Sequence, residues 1–279
     1  MGRRGLILGW IGGRGDPARA VAIALVSTVL VFGAIVWAIV NAPNWPAVQE
    51  QFFSAEAFAD ALPDLVPAFG TNIALFLIAE VLILVLGLVV AVLRGLPGPV
   101  FFPIRALATG YVDLFRAVPG ILVIYVLALG VPGLGIEGVP IDPFVWAILA
   151  LTLIYSAYVS EVYRAGIESI HPSQEAAARS LGLSRFQALR YVIVPQAVRR
   201  VVPPLLNDFI GLQKDTVLVS FAGVVEIFRT SQVKEAASFN FTPYLAVAAI
   251  FVVVTIPLAR LTDWLAARDR SRQAVGGFR

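Results

Sequence analysis

His171-Pro-Ser-Gln-Glu-Ala-Ala-Ala-Arg-Ser-Leu-Gly-Leu-Ser-Arg-Phe-Gln-Ala-Leu-Arg-Tyr-Val-Ile-Val-Pro195 is a polar, arginine-bearing stretch in a chain of 279 residues that is 59% hydrophobic and only 14% charged. Its residues predict two short helices. Ser173, following Pro172, caps the first through the strong helix formers from Gln174 to Leu181, and Gly182 supplies a left-handed stop. Ser184 with Gln187 three residues later is a capping-box start for a second helix ending near Pro195. Helices meeting at a glycine make a compact knob, and Ala176, Ala177 and Ala178 give it little bulk, so a partner's groove can approach closely. An ordinary helical loop has a similar composition, and spacing alone leaves both readings open.

Outward from the knob, the chain reads as membrane-embedded. Soluble domains carry about 25% charged residues, well above the share here. Crossing a hydrocarbon core of about 30 Å takes about 20 helical residues, and six such stretches are expected: 20–40, 71–93, 117–136, 143–160, 201–225 and 236–258. The fold class expected is therefore an all-α polytopic membrane protein. The first stretch exceeds the roughly 7 to 15 residues of a signal-peptide core and reads as a retained anchor.

Basic residues accumulate in short cytoplasmic loops, which orients the spans. Arg3, Arg4, Arg14 and Arg19 precede the first, whereas 41–70 has no basic residue and holds Glu50, Glu56, Asp60 and Asp64. That places the N-terminus inside. Arg94 and Arg105 mark the next inner loop; Arg164, Arg179, Arg185, Arg190, Arg199 and Arg200 mark the knob, and Arg268, Arg270, Arg272 and Arg279 the tail, so both termini are expected to be cytoplasmic. The outward Arg229 and Lys234 stand near Glu226 and Glu235. A pI near 9.4 follows from this topology and does not argue for nucleic acid. Without cysteine, and with the single His171, the chain offers no disulfide and no cysteine or histidine metal site.

Four motifs in order carry a family likeness. From Gly182, nine residues lead to Val192-Ile-Val-Pro195, and counting back puts Ala176 to Ala178 where the cytoplasmic "EAA" loop of ATP-binding-cassette importer membrane subunits has Glu-Ala-Ala. The acid is displaced one residue, to Glu175, about 100° around a helix. Tyr111-Val-Asp-Leu-Phe-Arg-Ala-Val-Pro119, Ala157-Tyr-Val-Ser-Glu-Val-Tyr-Arg-Ala-Gly166 and Leu206-Asn-Asp-Phe-Ile-Gly-Leu-Gln-Lys-Asp-Thr216 are the others. With Asp113 and Asp208 where glutamate is usual, these resemble the polar amino-acid branch of type I importer permeases. The resemblance implies a permease domain over 71–265 with a coupling loop at 171–195, flanked by a basic cytoplasmic N-terminus (1–19), an additional transmembrane helix (20–40), an extracytoplasmic segment (41–70) and a basic tail (266–279). It further implies a cassette ATPase dimer binding ATP and Mg, a second permease subunit, an extracytoplasmic amino-acid-binding protein, and a multi-pass place in the bacterial cytoplasmic membrane. The chain itself is expected to be no enzyme and to bind no cofactor. A phosphate-cradling loop needs Gly-x-x-x-x-Gly-Lys-Ser/Thr, whereas Lys214 and Lys234, the only lysines, follow Gln213 and Val233.

Ionisable groups inside a bilayer are costly and usually face a cavity or one another. Glu80 falls mid-span, Asp113 and Arg116 share a helix face and can pair, and Glu161 with Arg164 repeats that spacing. Lys214 and Asp215 diverge by about 100° and are expected to take separate partners or to mark a break. Glu80, Asp113, Arg116, Glu161, Lys214 and Asp215 are accordingly candidates for the translocation path or gate. Glu175, Ala176, Ala177, Gly182 and Pro195 are candidates for ATPase coupling, and no residue is a catalytic or metal-site candidate. Permanent helix-to-helix charge pairs are the competing explanation for the buried charges, and an ion-gradient-driven secondary transporter or channel is the competing function, although no inverted repeat is evident.

Overall fold

The computed structural model describes residues 17–276, all helix and connection with no strand among them. Arg3, Arg4, Arg14 and Arg279 lie outside these residues. The chain divides into two compact units at Ser54 and Ala55. The first holds α1 (Pro17–Val40) and α2 (Trp45–Phe52). α1 is apolar on all sides and almost wholly exposed, the condition of a helix whose solvent is lipid.

The second unit begins with α3 (Ala55–Arg94), 40 residues long. The expected boundary between 70 and 71 is not a break: the helix runs through Pro63 and Pro67 without interruption, so half of the expected external segment is the same helix as the span. α4 (Phe102–Ala117) and α5 (Gly120–Tyr125) follow, the latter extended by a wide five-residue turn at Val126–Gly130 and a final turn at Val131–Gly133. The expected third span, 117–136, thus holds only the second piece of a bent pair that begins at Pro99 and turns by 106° at Val118 and Pro119. Pro119 is responsible, since it confines the residue before it to extended backbone; Val118 has ψ 130°.

α6 (Pro143–Glu168) is capped by Asp142, whose carboxylate accepts from Phe144 N at 2.9 Å. The knob carries α7 (Pro172–Ser180) and α8 (Arg185–Ala188); a second wide turn, Leu189–Ile193, leads into α9 (Val194–Asp215) and a tighter 3₁₀ segment, Thr216–Ala222. α10 (Ile227–Ser238) follows after a bend of 52°, and α11 (Thr242–Gly276) completes the described chain. Among the described residues four stretches are long and apolar enough to span a membrane, and six if each bent pair counts as one. The six expected spans are reached only by counting the bent pairs.

α3 and α6 form the centre. Leu75, Ala79, Ile83, Ala147, Ala150, Leu151 and Val159 are buried between them and against α5 and α9. Close approach is enforced by small residues: a Cβ on Gly87 would lie 2.7 Å from Val159, and one on Gly166 would collide with Val201 of α9. Outward faces are apolar as well, with Val81, Val85 and Val253 exposed, as lipid contact requires. The result is a bundle with two distinct ends, one bearing the knob and the C-terminus of α3, the other bearing the start of α3 and α10.

Candidate functional site

The knob is the first candidate. His171, not Ser173, caps α7: its Nδ1 accepts from Ser173 N at 3.2 Å and contacts the Ser173 hydroxyl at 2.8 Å. The proline explains the shift, because Pro172 occupies the first helical position and so places the cap at His171, two residues before Ser173. At the other end Gly182 is left-handed (φ 88°), with Gly182 N donating to Arg179 O at 3.0 Å and Leu183 N to Ala178 O at 3.3 Å. This pair of bonds satisfies the last carbonyls of the helix. The capping box of α8 forms as expected, Gln187 N to Ser184 Oγ at 3.2 Å and Ser184 N to Gln187 Oε1 at 2.8 Å.

Pro195 does not end the second helix. An α-helical proline lacks a donor and clashes with the carbonyl four residues earlier; the wide turn at Leu189–Ile193 moves that carbonyl aside and the helix continues to Asp215. The other wide turn likewise immediately precedes a proline-bearing turn, at Pro132. Ala176 and Ala177 are exposed, whereas Ala178 is buried beneath them. Glu175 is half-buried and faces Arg185 at 3.7 Å, so the displaced acid bridges α7 and α8. Leu181 (85% exposed), Phe186 (67%) and Tyr191 (63%) stand out of this otherwise polar stretch, so apolar area is presented where the charge pattern alone indicates a solvated loop.

Behind the knob, Glu161 gathers arginines from three helices. It is bonded to Arg94 of α3, accepts from Arg164 NH2 at 2.6 Å and lies 3.8 Å from Arg116 of α4. Arg116 also sits over the Tyr158 ring at 5.8 Å. Asp113 is exposed and makes no ion pair among the described residues, so the expected Asp113–Arg116 pair does not form. The reason is that α6 brings Glu161 to the guanidinium and Asp113 faces outward. Tyr111 of the same motif anchors α4 to α6, donating to Leu153 O at 2.7 Å and lying 2.5 Å from Ser156 Oγ.

Deeper in the bundle, Asp215 accepts from Tyr155 at 2.7 Å, while its neighbour Lys214 is exposed. The two diverge as expected, and the helix type changes directly after them at Thr216. Glu80 is half-buried within electrostatic range of Asp208 and Tyr163. One oxygen of Asp208 is buried without a hydrogen-bond partner. Sequence reading singled out Glu80, Glu161 and Asp215, passed over Tyr155, a residue with no charge to draw attention, and treated Arg94 only as a topology marker. It also missed Asn72 and Glu226, described below. A mid-helix Asn in an apolar run was the available signal for the first. Lys234 pairs with Asp60 and Asp64, not with the adjacent Glu235.

The helical spans, the bent pairs and the exposed knob define a polytopic membrane protein with a protruding element at one end. Residues 99–271 match the family described as "Binding-protein-dependent transport system inner membrane component", and the chain belongs to it. It is 37% identical over 185 residues to the probable glutamine ABC transporter permease protein GlnM of Bacillus subtilis, covering 66% of this chain and 83% of that one. It is 35% identical to the probable amino-acid ABC transporter permease protein PatM of Vibrio harveyi, covering 77% and 96%. A crystal structure of an amino acid ABC transporter with histidines is similar with a TM-score of 0.70 and 29% identity, over 77% of this chain and 98% of that one. The inward-facing MetNI methionine ABC transporter, 18% identical with a TM-score of 0.60 over 74% of this chain and 95% of that one, shares the fold. The architecture is that of a type I importer permease.

Proposed function

We propose that the chain carries an amino acid across the bacterial cytoplasmic membrane by alternating access, driven by ATP hydrolysis on a separate cassette ATPase dimer. The observation that carries the reading is the knob: a capped, glycine-stopped pair of helices that exposes Leu181, Phe186 and Tyr191 at the end of a helical run leading into the bundle core. Glu175, Ala176, Ala177 and Gly182 form the surface that the ATPase grips, and Pro195 begins the segment that carries the motion inward. ATP and Mg belong to that partner. A second permease subunit, identical or paralogous, and an external binding protein complete the assembly, with both termini cytoplasmic. The amino-acid assignment is supported by the relatives named for glutamine, glutamate and arginine transport.

Inside the bundle, Tyr155, Asp215, Glu80 and Asp208 line the path, with Lys214 beside them, while Glu161 and its arginines close its knob end and Asp113 faces away. The test is reconstitution with and without a co-purified cassette ATPase. ATP-dependent uptake of an amino acid only when the ATPase is present is expected. Accumulation of solute on an ion gradient by this chain alone would overturn the reading in favour of a secondary transporter.

A further inference from the structure

Asn72 and Glu226 belong to none of the motifs above, yet both are buried: Glu226 is 0% exposed and Asn72 2%. A buried carboxylate is tolerated only when donors surround it, and here they do. Glu226 Oε1 accepts from Arg229 N at 2.7 Å; Oε2 accepts from Phe228 N at 3.0 Å and Asn72 Nδ2 at 2.9 Å. Asn72 Oδ1 accepts from Ile227 N at 3.1 Å, and Nδ2 also donates to Thr216 Oγ1 at 3.1 Å. One side chain of α3 therefore satisfies the start of α10 and touches the start of the 3₁₀ segment.

A second fastening joins the same two helices. Lys234 Nζ donates to Asp64 Oδ2 at 2.8 Å, and to Asp60 Oδ2 and Asp60 O at 3.1 Å. From 226 to 234 is the same number of residues as from 72 back to 64, so the contacts lie in antiparallel register, about 12 Å apart at 1.5 Å per residue. Between them, Leu65, Phe69 and Ile227 are packed in one buried cluster with Ala246 and Val247 of α11. Sliding or separating the helices would break both fastenings and open that cluster.

We propose that Asn72 and Glu226 are positioning residues that, with Lys234, lock α10 to the first half of α3 as one rigid body, so that transport moves this body as a unit. The proposal rests on the transport function above. Cross-linking tests it directly, because the chain has no cysteine and Asp64→Cys with Lys234→Cys gives a unique pair for a cleavable bifunctional thiol reagent. In vesicles containing the complete transporter, uptake after cross-linking is expected to stay within about twofold of uptake after cleavage. Uptake stopped by the link and restored by cleaving it would overturn the proposal.

A rescue experiment tests the residues. Asn72→Asp sets a second carboxylate against Glu226 and is expected to lower the maximal uptake rate at least tenfold with little change in KM. Adding Glu226→Gln restores a donor–acceptor pair and is expected to recover most of that rate. Normal transport by Asn72→Asp, or no recovery in the double variant, would overturn the positioning role; if Asn72→Asp fails to insert, the cross-link decides. Failure of ATP-driven uptake by the unmodified chain would instead defeat the transport reading itself.

Discussion

The two ends of α3 are fastened by charge in opposite ways. At the knob end a single carboxylate, Glu161, meets Arg94, Arg116 and Arg164 from three helices, and side-chain exposure rises from 12% at Arg94 to 46% at Arg116. At the far end, two contacts eight residues apart join one pair of helices, and the deeper one is sealed from solvent. A point contact among several helices permits tilting about it. Paired contacts in register forbid relative motion of the helices they join. The bundle thus combines a loosely held joint at the knob end with a stiff element at the opposite end.

The largest expected effect is at Glu161. Glu161→Ala strips the partly buried Arg94 of its carboxylate, and orphaning such a charge costs about 3–5 kcal/mol, to be read as lowered thermal stability of the detergent-solubilised protein. A change under about 1 kcal/mol would show the knob-end contact to be as weak as an ordinary surface pair. Gly166→Val sharpens the contrast between packing and charge at that same end. Its collision with Val201 is expected to cost about 1–3 kcal/mol with every arginine contact to Glu161 retained, again measured by thermal unfolding.

Gly182→Val comes next. Placing a β-branched residue at φ 88° costs about 1–2 kcal/mol, confined to the knob. Insertion and ATP hydrolysis by the complex are expected to persist while uptake falls, as measured in parallel on the same vesicles. Lys234→Gln is expected to have the smallest effect. Its carboxylate partners are exposed, and the loss is expected to be under about 1 kcal/mol, with uptake retained because Asn72 and Glu226 still hold α10. An unfolding shift as large as that of Glu161→Ala would reverse the ranking of the two ends.

The sequence made the class of fold plain, because apolar stretches and arginine placement report the solvent directly. Capping chemistry was nearly as legible: the Ser184 and Gln187 box and the Gly182 stop depend on residues within a few positions of one another. What escaped was any feature set by a distant element. Asp113 and Arg116 have the right spacing to pair, but α6 places Glu161 closer. The continuity of α3 through Pro63 and Pro67 was hidden because prolines argue for a break unless neighbouring helices make up the lost hydrogen bonds. Asn72 is read as a polar residue in an apolar run until Glu226, 154 residues later, arrives beside it.

The wide turn before Pro195 has one more consequence. By absorbing the proline, it leaves a helical shaft from Arg185 to Asp215, roughly 45 Å long at 1.5 Å per residue, with the knob at one tip and the Tyr155 contact at the other. Pro203 and Pro204 lie within that shaft without ending it. Shortening the wide turn by one residue would rotate everything downstream by about 100°, carrying Asp215 away from Tyr155 while leaving the knob as it is.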